Sequence, residues 1–236
     1  MAEFVIEETI VIEEPDVSHL ITEDDEPVDN IFSAKQQRLL VRPLYTAWQP
    51  ERPFVADANV GIFASVHRPA IVPDMFLSLD VEIAEDWYAK EHRSYFLWEF
   101  GKPPEVVVEV VSNKKGNEMG TKLRDYARIG VLYYVVYDPQ QLILDGDSLR
   151  VYELRVGEYV LKPDAYLDKI GLSLTLWDGV YEMKEAQWLR WCDGEGVVLP
   201  TGAELADQER QRANEEHQRA EHLAAQLRAL GIEPEA

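Results

Sequence analysis

Residues 103–139, PPEVVVEVVSNKKGNEMGTKLRDYARIGVLYYVVYDP, decide how this chain is read. Pro103 and Pro104 open an apolar run, Glu105 to Val111, whose branched valines suit a pleated strand. Ser112 to Asn117 gathers Ser, Asn, Lys and Gly and reads as a loop. From Glu118 to Arg128, Leu123, Tyr126 and Ala127 recur at three-to-four spacing, which predicts a helix with one apolar face. Gly130 is placed to end it, because glycine tolerates positive φ. Val131 to Tyr137 is a second buried strand, closed by Asp138-Pro139. Strand, helix and strand make a βαβ unit with a right-handed crossover. Strands 104–111 and 131–137 should therefore be parallel neighbours joined by helix 117–130.

Glu109 interrupts this pattern. It sits inside VVVEVV, where both faces of the strand look buried. An ionised carboxylate there costs several kcal/mol unless something compensates it. A metal ion is one such partner, and a buried Arg or Lys is another.

Outward from this unit, composition sets limits. The 236 residues, 46% apolar, suffice for one ordinary domain with appendages. No apolar run is long enough for a transmembrane helix, and MAEFVIEETIVIEEPD lacks the basic and apolar blocks of a signal peptide. The single cysteine, Cys192, excludes an internal disulfide framework and fits a cytoplasmic setting. The five histidines give no zinc-ligand spacing. The net charge of -21 is concentrated at the ends: residues 1–30 hold eleven acids and no Lys or Arg, whereas residues 31–200 carry a net of only -6. The chain lacks the basic footprint of a strong nucleic-acid binder.

Residues 1–30 (FVIEETIVIEEP, then EDDEP) read either as an edge strand or as a disordered acidic arm. IFSAKQQRLLV predicts a helix from residue 31 to Leu40 or Val41, with Pro43 ending it. Phe54 to Ser65 suggests strands broken near Asn59-Val60-Gly61. Ala70 to Leu79 is a strand candidate with Pro73-Asp74 at its start, Asp80 to His92 is a solvated excursion, and Tyr95 to Phe100 is strand-like. Beyond Pro139, runs at 149–154, 158–161 and 172–176, with turns at Asp145-Gly146-Asp147 and Val156-Gly157-Glu158, suggest a β meander. QWLRWC, 187–192, should pack on the core. Thr201-Gly202 marks a boundary. Beyond it, Ala203 to Leu230 reads as one helix stopped by Gly231. Ala206, Ala213, Ala220 and Leu227 fall seven apart, and Leu223 and Leu230 fill the complementary position, where Glu209 and Glu216 stand earlier. That pattern fits either a self-associating coiled coil or a solitary helix lying on its own domain.

Among candidate site residues, Asp74 after a proline is by itself ordinary turn chemistry, and Lys122, one turn before Tyr126, is by itself an ordinary helix lysine. Together with Glu109 they say more. Two carboxylates on neighbouring strands can hold a hard divalent cation, and a nearby ammonium can stabilise developing negative charge.

The run PD at 73–74, PPEVVVEVVS at 103–112, KLRDYARIGV at 122–131 and YDP at 137–139 resembles the Uma-two family of bacterial endonucleases, placed in the PD-(D/E)XK nuclease superfamily. DNIFSAKQQRLL, ANVGIF, VPDMFLSLD and YFLWEFGKPPE extend the resemblance from Asp29 to Trp191. It implies an α/β, restriction-endonuclease-like core at 31–200, with a central mixed β-sheet flanked by helices. That core lies between an acidic arm, 1–30, and a helical tail, 201–236. The family's PD aspartate falls on Asp74 and the acid of its (D/E)-X-K element on Glu109. The third place of that element holds Val111 instead of lysine, a departure that leaves Lys122 as a migrated catalytic lysine; Lys114 and Lys115 lie in the predicted loop. Gln36 or Gln37 would supply the polar residue that the superfamily often adds from its first helix.

The implied activity is hydrolysis of nucleic-acid phosphodiester bonds, with DNA the expected substrate. Mg²⁺ or Mn²⁺ would be ligated by Asp74, Glu109 and the carbonyl of Val110, and a homodimer could form through the tail. The alternative is a nuclease-fold binding or assembly module without activity, supported by the acidic charge, the missing lysine at 111 and the tail.

Overall fold

The computed structural model describes residues 30–113 and 117–230. The acidic arm before Asn30, Lys114, Lys115 and the proposed stop at Gly231 lie outside the described residues. The first half of the chain runs α1 (Ile31–Ala47), β1 (Phe54–Asp57), β2 (Ile62–Phe63), β3 (Met75–Leu79), β4 (Tyr95–Phe96), the short α2 (Leu97–Phe100) and β5 (Val106–Val110). It continues through α3 (Leu123–Ile129), β6 (Tyr133–Tyr137), β7 (Leu149–Arg155), β8 (Glu158–Leu161), β9 (Tyr166–Leu167), β10 (Leu172–Tyr181), β11 (Lys184–Cys192) and α4 (Gly202–Ala229).

The βαβ unit is at the centre. β5 and β6 pair in parallel, Val106 opposite Tyr133 through Val110 opposite Tyr137. All ten of these residues are buried, which is why the sequence there is a continuous apolar run and not an alternating one. The crossover starts with a π-helical turn, Glu118–Lys122, and continues as α3. Gly130, at φ 91, ends α3, and its amide returns to the carbonyls of Tyr126 and Ala127. Antiparallel strands extend the pair on both sides into a mixed six-stranded sheet ordered β1-β3-β5-β6-β7-β8.

Each sheet face has its own core. Val106, Val108 and Val110 point to one face, with Leu40, Leu44, Leu189 and Trp191. Val107 and Val111 point to the other, with Phe76, Tyr126, Tyr134 and Tyr152. The first face is covered by α1 and by the β9-β10-β11 sheet. Gln36 joins the two covering layers: its side-chain amide donates to the Leu189 carbonyl and accepts from the Leu189 N–H. Tyr45 does the same on the sheet's outer strand, its hydroxyl bonding both the N–H and the C=O of Ala56. Each side chain thereby satisfies a strand edge that would otherwise be open to another chain.

Three local expectations are corrected. Pro43 does not end α1, which continues to Ala47. A proline inside a helix costs about 3 kcal/mol, but Leu39, Leu40 and Leu44 around it are at most 1% exposed, and each fully buried leucine returns about 2 kcal/mol. The indole of Trp191 also donates to the Leu40 carbonyl at 2.8 Å. Tertiary burial therefore overrides the local signal. In YFLWEF only Tyr95 and Phe96 are strand, and α2 follows. The run at 172–176 is the start of a ten-residue strand, whose hairpin with β11 takes in QWLRWC. The break at Asn59 is present, with φ 56, and Val156-Gly157 forms the β7–β8 turn.

Candidate functional site

The register of β3 and β5 builds the site. Met75 pairs with Val108 and Leu77 with Val106, antiparallel. This register brings Asp74, which immediately precedes β3, to the end of β5, where its carboxylate accepts from the Val110 N–H and its charge acts on Glu109. The spacing of Asp74 and Glu109, 35 positions apart in sequence, thus becomes a neighbouring pair at the end of β5.

Both carboxylates are held. Asp74 Oδ2 accepts from the Val110 N–H at 2.6 Å, and Oδ1 accepts from Gln37 Nε2 at 2.8 Å. Glu109, 1% exposed, accepts from Lys122 Nζ on Oε2 at 2.7 Å and from the Tyr126 hydroxyl on Oε1 at 2.8 Å. Lys122 closes the π-helical turn and Tyr126 lies one turn further along α3, so a single helical face presents both donors. The sequence left Gln36 and Gln37 undecided; the structure sends Gln36 to Leu189 and Gln37 to Asp74. Consecutive helix positions differ by about 100° in direction, so only one of the two could reach the site.

The electrostatics are strained in one direction. Burial pushes the Glu109 carboxyl up to about 8; the Lys122 ammonium opposes that, and the charge of Asp74 adds to it. Burial pulls Lys122 down, but Glu109, Asp74 and Glu118 outweigh it and raise its pKa, so it stays protonated. Burial, then Glu109, pushes the Tyr126 hydroxyl well up, so it remains a donor. The site thus holds two adjacent carboxylates and one ammonium. No group of three or more His, Cys, Asp and Glu able to hold a metal occurs among the described residues. The oxygens available are those of Asp74, Glu109 and the strand backbone. That donor set suits a hard, partly hydrated cation such as Mg²⁺, which takes one or two carboxylates and keeps several waters. A cation beside Glu109 would also offset the burial and the Asp74 charge that raise its pKa. The residues therefore fit the group.

Two contributors escaped the sequence reading. Asn59, at the left-handed corner after β1, exchanges hydrogen bonds with the Gln37 amide at 3.1 and 3.3 Å. Glu118, 6% exposed, adds negative charge near Lys122, and its carbonyl accepts from the buried Tyr134 hydroxyl. A turn residue such as Asn59 carries no sequence signal for a partner 22 positions away. Glu118 opens the helical span, where an acidic residue is common and carries no signal of a site.

The Uma2 family model, described as "Putative restriction endonuclease", matches residues 21–178, a span that contains Gln37, Asn59, Asp74, Glu109, Lys122 and Tyr126. No curated protein matches the chain. Among solved structures, the chain is similar to a crystal structure of "a putative nuclease" from Anabaena variabilis, with 16% identity over 60% of this chain and 73% of that one and a TM-score of 0.42.

Proposed function

This chain belongs to the Uma2 family, and we propose that it is a metal-dependent endonuclease hydrolysing phosphodiester bonds of nucleic acid, DNA in the first instance. The observation that carries the reading is that Asp74, bonded to the Val110 N–H, and Lys122, 2.7 Å from the Glu109 carboxylate, both act on the buried Glu109 at the end of β5. Asp74, Glu109 and the carbonyl of Val110 would hold Mg²⁺ or Mn²⁺. When bound, such an ion polarises a phosphate oxygen and acidifies a water at hydrolytic sites.

The chain's own residues do the rest. Gln37 and the Val110 N–H orient Asp74, and Tyr126 orients Glu109. Lys122, tethered to Glu109 with its side chain 32% exposed, is near enough to solvent to meet a phosphate oxygen and to neutralise charge that builds there. In this reading Lys122 does the work of the lysine that Val111 displaces. The reading places the protein in the cytoplasm, where the free, buried Cys192 needs no partner. It also includes homodimer formation through α4. Among the described residues no helix is long and apolar enough to cross a membrane.

The test separates binding from chemistry. Calorimetric titration with Mn²⁺ should show binding by the wild-type chain and by Lys122→Ala, and none by Glu109→Gln. Cleavage of single- and double-stranded DNA should be lost in both variants while circular dichroism stays unchanged. A wild-type chain that binds neither Mg²⁺ nor Mn²⁺ at millimolar concentration would leave the Lys122–Glu109 pair as a structural ion pair and favour the inactive binding module.

A further inference from the structure

Helix α4 is 28 residues long and none of its residues is buried among those described. At 1.5 Å per residue it spans about 42 Å. It is joined to the domain through its first turn: Thr201 and Glu204 form a capping box, and both carboxylate oxygens of Glu204 accept from the Arg190 guanidinium at 2.8 and 2.7 Å. Leu223 and Leu230 are 52% and 76% exposed. α4 also meets α1, but a helix with no buried residue draws little stability from the domain that carries it.

We propose that α4 pairs with α4 of a second copy of this chain in antiparallel orientation. This deepens the self-association reading of the tail and is independent of the nuclease chemistry. The argument is one of charge and volume along the seam. One column of the heptad holds Ala206, Ala213, Ala220 and Leu227, and the other holds Glu209, Glu216, Leu223 and Leu230. In a parallel pair each residue meets its own copy. Glu209 would face Glu209 and Glu216 would face Glu216, and three Ala–Ala layers would alternate with layers of long side chains. Two like-charge layers and an uneven gap oppose that arrangement.

In an antiparallel pair one column faces the other. Ala206 then meets Leu230, Ala213 meets Leu223, Glu216 meets Ala220 and Glu209 meets Leu227. No layer contains two glutamates. Three of the four layer types set an alanine against a long side chain and the fourth sets Glu209 against Leu227, so the helix separation varies less than in the parallel pair, and each glutamate stem can lie along its partner while the carboxylate reaches water. The two domains then sit at opposite ends of the paired helices.

Cysteine cross-linking of the full chain distinguishes the orientations. His217 flanks the seam near its centre and meets its own copy only in the antiparallel pair, whereas Ala213 meets its own copy only in the parallel pair. Under mild oxidation His217→Cys should give a disulfide-linked dimer and Ala213→Cys should not, while Ala213→Cys mixed with Leu223→Cys should give a heterodimer. Light scattering should show a dimer for the wild type and a monomer for Leu223→Glu. A linked dimer from Ala213→Cys alone, without one from His217→Cys, overturns the orientation while leaving the dimer. A monomeric wild type overturns both. Neither result touches Mn²⁺ binding at Asp74 and Glu109, which reports separately on the nuclease reading.

Discussion

Single side chains set the geometry at the end of β5. Asp74 is useful as a ligand only if its carboxylate is aimed, and Gln37 aims one oxygen while the Val110 N–H aims the other. Gln37→Leu keeps the volume and removes one of those bonds. Loss of an outer hydrogen bond of this kind lowers metal affinity by about 10- to 100-fold, so a Mn²⁺ titration of Gln37→Leu should show that weakening while circular dichroism shows the fold retained. Tyr126→Phe has a different effect. It strips a donor from the buried Glu109 Oε1, and a buried acceptor left unpaired costs roughly 1–3 kcal/mol. Thermal unfolding should register that loss even without metal. Glu109 stood out in the sequence because a charged residue inside an apolar run is costly and therefore conspicuous, whereas Asp74 and Lys122, ordinary by themselves, were singled out by the family resemblance. It did not show Asn59 or choose between Gln36 and Gln37, because those roles depend on where a helix lies over a sheet.

The elements obey the same division between local and tertiary causes. The βαβ unit was legible because its strands are buried on both faces, its turn is polar and Gly130 occupies a position that needs positive φ. α1 was cut short in the reading at Pro43 because the leucines that hold the helix past it have their partners on distant strands. Two tight hairpin turns carry residues poorly suited to their backbone: Val156 at φ 51 and Met183 at φ 64, both fully solvent-facing. The left-handed region costs a non-glycine residue about 1 kcal/mol or more. Val156→Asn and Met183→Gly should each raise the melting temperature, most clearly Val156→Asn because valine is β-branched.

Glu182, beside Met183 and also at positive φ, has a reason to stay. Its carboxylate accepts from Lys35 and Arg38 on α1, and the Arg38 bond, then the Lys35 bond, hold its pKa down at about 2. A depressed carboxyl pKa contributes stability above the unfolded-chain value of about 4.5 and loses it as pH falls through 2. Wild type and Glu182→Gln should therefore differ in thermal stability at pH 6, and that difference should shrink below pH 4.5 and vanish near pH 2. A difference that stays constant across this range would show that the hairpin contact is not ionic.

At the scale of the whole molecule, the boundary between domain and tail decides which properties travel together. The composition changes at Thr201-Gly202, where α4 begins, and Arg190 and Glu204 tie across that point. Arg190 is 3% exposed, and its guanidinium lies 4.6 Å from the Trp177 ring centroid. A chain ending at Leu199 removes the tail and also the only carboxylate that the structure pairs with Arg190 among the described residues. A chain ending at Ala206 removes the seam and keeps Glu204. The two truncations should therefore behave differently. Both should be monomeric by light scattering if α4 carries self-association. The form ending at Ala206 should unfold like an isolated intact domain. The form ending at Leu199 should be less stable by about 2 kcal/mol, the cost of removing a hydrogen-bonded partner from a buried charge. Because Gln37, Asp74, Glu109, Lys122 and Tyr126 all come from one chain and none belongs to α4, the Ala206 form should also keep full Mn²⁺ affinity per subunit. Loss of that affinity on deleting α4 alone would mean that a second copy completes the site, and the self-contained arrangement around Asp74 and Glu109 would have to be abandoned.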